Sequence, residues 1–499
     1  MNLVENLIDN YKKMPHKICL VENGEKITYE NLYKKVCDFK EYLEKRGIKQ
    51  ESKILVLVPM SIDLYVVLLS IWSIGAVACF MDAGFIKSRV VKNGFEEIDG
   101  IIGNTKYLLY SNLNKNLSEL KIKINTNILK TLKRKDEKEI ISIKKIEEKI
   151  AILTYTSGTT GIPKIAARTH EFLQYQGKIL KDNLDYEEND IELSTIPIFT
   201  LSNINAGITT VIANSNFSDL GKSNPKKIVE QINRNNINRI MASPGLLSVI
   251  TKYCIKKDVK ITNLKKIYTG GGAIFLDLIK ELKITFPNAK ITTLYGSTEA
   301  EPIAKLNINE MTNEDIKNVE NGKGILAGTI VGVEDCKIIK NDKKEIGKIS
   351  DKEFYEMQTK DVGEIVVTGN NVLKGYLGGI GDKENKFIVE EKVYHRTGDV
   401  GTIDEKGRLW LRGRIKEPFL NIESALHLKL EIGKTAVLQS NDKIILVVER
   451  NNKVPEDILK NAIQFNKIDE KRYVKKIPVD KRHSTKVDYN KLRKILKID

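Results

Sequence analysis

The stretch TYTSGTTGIPKIAARTH, Thr154 to His170, sets two glycines, a run of hydroxyls and one lysine behind a short apolar lead, AIL. These residue types suit an anion. Gly158 and Gly161 lift the Cβ restriction on the backbone, so successive N–H groups can converge on phosphate oxygens, and Thr156, Ser157, Thr159 and Thr160 add hydroxyl donors. Lys164 adds a positive charge. By composition alone the stretch also fits a polar surface turn. It is not a Walker loop, because no Gly-Lys-Ser/Thr follows four residues after a glycine, which disfavours a kinase of that kind. Three further places carry chemistry-capable side chains: YGSTEAEP with Glu299, HRTGDVG with Asp399, and STKVDYNKL with Lys486. Each also has an ordinary reading, as a helix-start acid, the acid of a β-turn and one lysine among many.

Such residues need elements to hold them. Apolar runs of strand type (KILVLVP, AILTYT, INRIMAS, KKIYTGG, KITTLYG, GEIVVTG) alternate with helical stretches such as PKKIVEQINRNNI, GLLSVITKYCIKK and FLDLIKELKITF. This alternation predicts an α/β fold with largely buried parallel sheets. Two of the runs lead straight into TGGGA, Thr269 to Ala273, and YGSTEAEP, Tyr295 to Pro302. Open α/β sheets bind ligands beyond the carboxyl ends of their strands, so a site is expected at these turns. From about Gly324 to Ile403 the pattern shortens to glycine-punctuated β segments. A boundary is expected near Arg414, giving an N-terminal domain of residues 1–413 and a small C-terminal domain of residues 414–499.

Bulk properties exclude several classes. With 499 residues the chain exceeds the roughly 250–300 residues at which single cores stop growing. Cys19, Cys37, Cys79, Cys254 and Cys336 form no CxxC pair, and their odd number cannot pair fully within the chain, so a reduced, cytoplasmic setting is expected. No signal peptide is read at the N-terminus. LYVVLLSIWSIGAVACFM, Leu64 to Met81, reaches the lower edge of a spanning length, but Gly75 interrupts it and it reads as a core helix running into a strand, not as a transmembrane span. The net charge of +16 is mostly lysine spread along the chain, with no zinc spacing and no interleaving of basic and aromatic residues. No nucleic-acid partner is therefore expected, and the charge suits anionic substrates such as nucleotides.

Taken in order, TSGTTGIPK, YGSTE, HRTGDVGTIDEKGRLWLRGR and the lysine of STKVDYNKL resemble the adenylate-forming superfamily of acyl-CoA synthetases, luciferases and peptide-synthetase adenylation domains. The likeness covers nearly the whole chain. It implies a large N-terminal domain of two αβ-layered sheets plus a distorted β-barrel subdomain, followed by a small, mobile α+β C-terminal domain hinged near Lys416. It implies a carboxylic acid and ATP as substrates: the acid attacks the α-phosphate, giving acyl-AMP and pyrophosphate, and a second nucleophile then takes the acyl group. By the same resemblance Thr156, Ser157, Gly158, Thr159, Thr160, Gly161 and Lys164 would face the pyrophosphate. Gly271, Gly272 and Ala273 would pass the adenine, with Tyr295 stacked on it and Gly296 and Ser297 beside it. Thr298 would touch the α-phosphate, Glu299 would hold Mg²⁺, Asp399 would accept from both ribose hydroxyls with Arg414 nearby, and Lys486 would bridge the attacking carboxylate and the phosphate. His170, Ile198, Phe199, Thr200, Leu201, Gly271 and Gly296 would belong to the acyl pocket, and a medium or long aliphatic acid is favoured over an amino acid.

TIPIFTLSNINAGITTVIANSNF, YGSTEAEPIA and PVDKRHSTKVD are similar to a narrower group, the olefin-pathway β-lactone synthetases and related fatty acid CoA ligase proteins. In β-lactone synthetases the substrate's own hydroxyl closes the ring, whereas a CoA ligase brings a thiol. Most acyl-CoA synthetases carry a glycine-containing loop after the hinge; GRIKEPFLNIESAL is shorter and has no glycine between Lys416 and Glu423. Thr485 stands where a glycine is usual before the late lysine. The leading expectation is acid activation followed by acyl transfer to CoA or a carrier-protein thiol. Transfer without CoA ranks second, a nucleotide-binding scaffold without activity third.

Overall fold

A computed structural model of the chain describes residues 3–81, 98–132, 149–156, 164–340, 344–430, 435–450, 468–480 and 487–498. Its internal contacts divide it into two compact units, Met1–Ala213 with Asn370–Lys383, and Asn214–Gly369 with Glu384–Asp499.

The first unit contains a six-stranded sheet in the order Ile122–Asn125, Gly100–Gly103, Lys53–Leu57, Val77–Phe80, Ile150–Thr156 and Lys164–Thr169. Neighbours run parallel except the last pair, whose register sets Thr156 opposite Lys164. The apolar stretch Leu64 to Met81, read as a core helix running into a strand, lies in the helix Ile62–Ile74 and the strand Val77–Phe80. Ser61 accepts the Leu64 N–H at the helix start, and Gly75 ends the helix in the left-handed region at φ 79°, a conformation that costs glycine little. Every residue from Leu64 to Ile74 is buried, and the Trp72 indole donates to the Ala151 carbonyl at 2.9 Å. No described helix is long and apolar enough to cross a membrane. A second group of strands in this unit runs Ile191–Ser194, Thr209–Ile212, Ile18–Glu22 and Glu25–Thr28, the first three parallel.

In the second unit the strands Arg239–Ala242, Lys266–Gly270 and Lys290–Ser297 are parallel and separated in sequence by the helices Pro244–Lys256 and Leu276–Thr285. All six apolar runs read as strands, and all three stretches read as helices, form those elements. From Lys290–Ser297 the pairing turns antiparallel through Ala300–Asn307, Ile325–Ile330, Arg408–Arg414, Lys392–Ile403, Gly363–Thr368 and Asp335–Ile339. Register shifts between Glu364 and Val366 and between Val400 and Gly401 bend this glycine-punctuated part.

The C-terminal segment is α+β, as expected: strands Thr435–Ser440, Lys443–Glu449 and Glu470–Val474 with helices Leu420–Leu430 and Tyr489–Leu496. Glu423 joins its parts. The carboxylate is 4 % exposed and accepts the Val437 N–H and the Tyr489 hydroxyl, both at 2.8 Å. Desolvation nevertheless dominates and pushes the carboxyl from 4.5 to about 7. A carboxyl whose folded pKa is raised binds more protons folded than unfolded, so its contribution falls as pH climbs from 4.5 through 7 and is constant above. The loss amounts to about 3 kcal/mol at most. Glu423→Gln keeps an acceptor oxygen and removes the charge. Denaturant unfolding between pH 5 and pH 8 should therefore show the variant gaining on the parent as pH rises; a constant gap would contradict this account.

Candidate active site

The strand Lys392–Ile403 carries Asp399, and two neighbours fix its carboxylate. Tyr295, near the end of Lys290–Ser297, donates its hydroxyl to one carboxylate oxygen at 2.7 Å; the Arg414 Nε donates to the other at 2.8 Å. The Asp399 N–H donates to the Thr397 hydroxyl at 3.1 Å, which itself donates to the Ile365 carbonyl at 2.8 Å. Burial, then the Asp399 charge, raises the Tyr295 phenol well above its ordinary value, so Tyr295 stays a donor. Arg414 also donates to the Thr397 carbonyl at 3.2 Å, and its side chain is more than half exposed.

Next to this cluster the strand Lys266–Gly270 ends at Gly271, left-handed at φ 78°. A side chain at Gly270 would put Cβ 2.7 Å from the Leu294 carbonyl oxygen, and one at Gly296 would put it 2.8 Å from that of Ala300. Backbone-to-backbone approach therefore requires glycine at both. Gly271, Gly272, Ala273, Tyr295, Gly296, Asp399 and Arg414 line one cavity of about 710 Å³, a size within the ordinary range for small-molecule sites. Val487 and Tyr489 line the same cavity. Ser297, Thr298 and Glu299 form the turn beyond, where the Glu299 N–H donates to the Ser297 hydroxyl at 3.2 Å.

Another side of the cavity is lined by Leu420, Glu423, Ser424 and His427 of the helix Leu420–Leu430. His427 is buried at 8 % exposure and stacks on Phe275 with ring centroids 4.1 Å apart and planes within 4°. Its Nδ1 stands 3.5 Å from Asp277. The Asp277 carboxyl is held below its usual range: desolvation opposes this, but His427, the Leu278 N–H and Lys252 outweigh it. Asn421 donates to the Gly322 carbonyl at 3.2 Å.

In the first unit Lys164 opens the strand Lys164–Thr169, and its ammonium lies 5.5 Å from the Tyr376 ring centre. A Cβ on Gly381, at φ +93°, would come 2.7 Å from the Lys164 Cε. Tyr376 and Gly381 had not been singled out in the sequence; nor had Thr397, although Thr two residues before Asp is a familiar turn signal. His170 begins the helix His170–Asn183, fully buried, with the Leu3 N–H 3.5 Å from its Nδ1 and Trp72 edge-on at 6.3 Å. Burial lowers its pKa to about 4, keeping the ring neutral. Ile198, Phe199, Thr200 and Leu201 lie on the helix Pro197–Ala206, Phe199 and Thr200 on its buried side. Thr156 ends its strand, while Ser157, Gly158, Thr159, Thr160, Gly161 and Lys486 lie outside the described residues.

The residues fit a nucleotide. Asp399 accepts from Tyr295 and Arg414, and a carboxylate is the acceptor-only type of group that hydroxyls of a sugar can donate to. The glycine-lined wall can meet a flat ring. Among the described residues no group of three or more His, Cys, Asp or Glu could cage a metal.

A family model described as AMP-binding enzyme matches residues 8–377. The chain belongs to this family. Among known relatives, the olefin β-lactone synthetase of Xanthomonas campestris pv. campestris is 28 % identical over 272 residues, 53 % of this chain and 48 % of that protein. The chain thus spans about half the length of the β-lactone synthetases it matches. The 4-coumarate–CoA ligase 2 of Petroselinum crispum is 24 % identical over 436 residues, 82 % of this chain and 75 % of that one. The O-succinylbenzoate CoA synthetase of Bacillus subtilis, solved with AMP, shares the fold at a TM-score of 0.76 and 19 % identity, covering 98 % of both chains. A second structure of that synthetase, with ATP and magnesium ion, scores 0.75 at 18 % identity over 98 % of this chain and 99 % of that one.

For this AMP-binding enzyme, Gly381→Ala should displace Lys164 and strain the backbone, costing about 1 kcal/mol of stability. Titration calorimetry should show ATP binding several-fold weaker; unchanged binding would mean that Lys164 does not reach the nucleotide.

Proposed function

We propose that this protein uses ATP to activate a carboxylic acid as acyl-AMP, with release of pyrophosphate, and then transfers the acyl group to a second nucleophile. One observation carries the reading: the cavity lined by Gly271, Gly272, Ala273, Tyr295, Asp399 and Arg414 is also lined by Val487, the residue after Lys486. Both reactants are anions, so the chemistry is mainly charge neutralisation and alignment. Asp399 takes the ribose hydroxyls, Tyr295 and the Gly271–Ala273 backbone hold the adenine, and Thr298 donates to the α-phosphate. Glu299, with Gly296 and Ser297 shaping its turn, carries the magnesium, as hard-cation chemistry suits. Thr156, Ser157, Gly158, Thr159, Thr160, Gly161 and Lys164 grip the departing pyrophosphate. Lys486 joins the acid's carboxylate to the α-phosphate.

The acid meets Ile198, Phe199 and Thr200, an apolar lining that favours a fatty or related acyl chain. His170, neutral and packed against Trp72, supports that region through the helix it begins. The small domain starts at Arg414 with its hinge near Lys416. CoA is the acceptor that the names of the CoA ligases and CoA synthetases among the relatives support, and a carrier-protein thiol would react by the same chemistry. A second reading, ring closure or other transfer without CoA, is favoured by the tight turn at Arg414–Glu417 and by the β-lactone synthetase match.

Pyrophosphate release over a panel of acids, with and without CoA, tests the proposal. No release with any acid while ATP still binds would leave a nucleotide-binding scaffold; release without thioester, with product from a β-hydroxy acid, would select the second reading. Lys486→Ala should depress acyl-AMP formation strongly and spare attack on supplied acyl-AMP, and equal loss in both would contradict its role. Asp399→Ala removes charged hydrogen bonds worth about 1.5–3 kcal/mol each and should weaken ATP binding by about tenfold or more, read by calorimetry.

A further inference from the structure

The first unit exposes a small apolar face with no place in this chemistry. Leu109 is 64 % exposed, Leu113 79 % and Tyr110 40 %. The helix Thr105–Ser111 has already used its inward side, since Tyr107 and Leu108 pack against the core of Leu55, Leu57 and Ile101, and Ser111 is buried. Spacings of three and four residues gather Lys106, Leu109, Tyr110 and Leu113 on the other side. Asn112 caps the helix between the leucines, and Lys123 donates its ammonium to the Asn112 side-chain oxygen at 2.8 Å and to the Ser118 carbonyl at 2.9 Å. A cation is therefore tethered beside the protruding leucines. Residues 105–132 carry Lys106, Lys115, Lys121, Lys123 and Lys130 against a single acid, Glu119, and all but Lys123 of these lysines are exposed.

Exposed apolar side chains in a segment that carries five lysines and one acid match an interface that is anionic outside and apolar beneath. We propose that this face docks on an anionic lipid bilayer, with Leu109 and Leu113 entering the headgroup boundary and the lysines meeting lipid phosphates. Neither half suffices alone: two leucines bury little, and lysines alone give only a salt-sensitive attraction. Together they form the two-signal arrangement that holds peripheral proteins reversibly. The docking does not depend on the reaction proposed above.

Co-flotation of the full chain with vesicles is the test, comparing phosphatidylcholine alone with phosphatidylcholine containing ~30 mol % phosphatidylserine. The protein should float with the second and not the first, and should be released as salt is raised. Leu109→Ser with Leu113→Ser should weaken binding by about tenfold or more, leaving the melting temperature and pyrophosphate release with a dissolved acid unchanged. Lys106→Glu with Lys115→Glu should weaken it comparably. Failure of the parent chain to bind anionic vesicles would overturn the proposal, as would binding that the leucine variant leaves intact, which would put the attraction elsewhere on the basic surface. Dimers that the leucine variant dissolves, with no vesicle binding, would assign the face to a second copy and overturn it too.

Discussion

Asp399 holds Tyr295 on one carboxylate oxygen and Arg414 on the other, while its own N–H is taken by Thr397. That arrangement exists only if three strands keep their register, and the register has its own lock three residues earlier. Arg396 and Glu364 form an almost fully buried pair, with the guanidinium Nε 2.7 Å from the carboxylate. Burial alone would favour a neutral Glu364 and raises its pKa, and the arginine opposes that shift. Such a pair adds little net stability, because desolvation offsets the attraction, but removing one partner would strand a buried charge at a cost of roughly 3–5 kcal/mol. It acts as a register pin. The adjacent bulge at Glu364 and Val366 then turns Thr397 and Asp399 toward Tyr295 rather than along the sheet.

A second network steadies the other end of the same hairpin. Arg408 bonds Asp315 at 2.7 Å and Asp404 at 2.9 Å, and the Trp410 indole donates to Asp404. Hydrogen bonds from Arg408 lead in lowering the Asp315 pKa to about 2, so this acid stays charged at any working pH. The strand Arg408–Arg414 is thus fixed at its start by charges and at its end by Asp399. Arg414 reaches the site because the strand that carries it cannot slide.

What the sequence made legible was local. Strand runs ending in glycine-rich turns predicted Gly271–Ala273 and Tyr295–Ser297 at one edge, since short-range pattern and turn chemistry suffice for that. The buried helix Ile62–Ile74 was likewise readable from its continuous apolar run and terminal Gly75. Partners distant in the chain were not readable. The Tyr295–Asp399 bond spans 104 positions, and Arg408–Asp315 spans 93, separations over which no local pattern pairs residues. The seat of Lys164 against Tyr376 and Gly381 is of the same kind, made by a return of the chain from far away. The stack of His427 on Phe275 likewise joins two segments far apart in the chain.

The turn after Arg414 bears on how the small domain can work. A Cβ on Gly413, at φ +140°, would come 2.5 Å from the Glu417 carbonyl oxygen, so this turn is packed backbone on backbone. Arg414 and Glu417 exchange two backbone hydrogen bonds across Lys416, at 3.1 and 2.9 Å, and the Ile415 N–H donates to the Gly398 carbonyl at 3.0 Å. Glu417 is also bound by Arg493 from the last helix, and Pro418 restricts the next torsion. A rotation about Lys416 would have to break both bonds of the turn, and the Phe275–His427 stack and the Asn421–Gly322 bond would resist it as well. These bonds hold the Arg414–Glu417 turn in one conformation, and Val487 and Tyr489 line the cavity together with Arg414 and Glu417. Under the proposed function this geometry serves acyl-AMP formation.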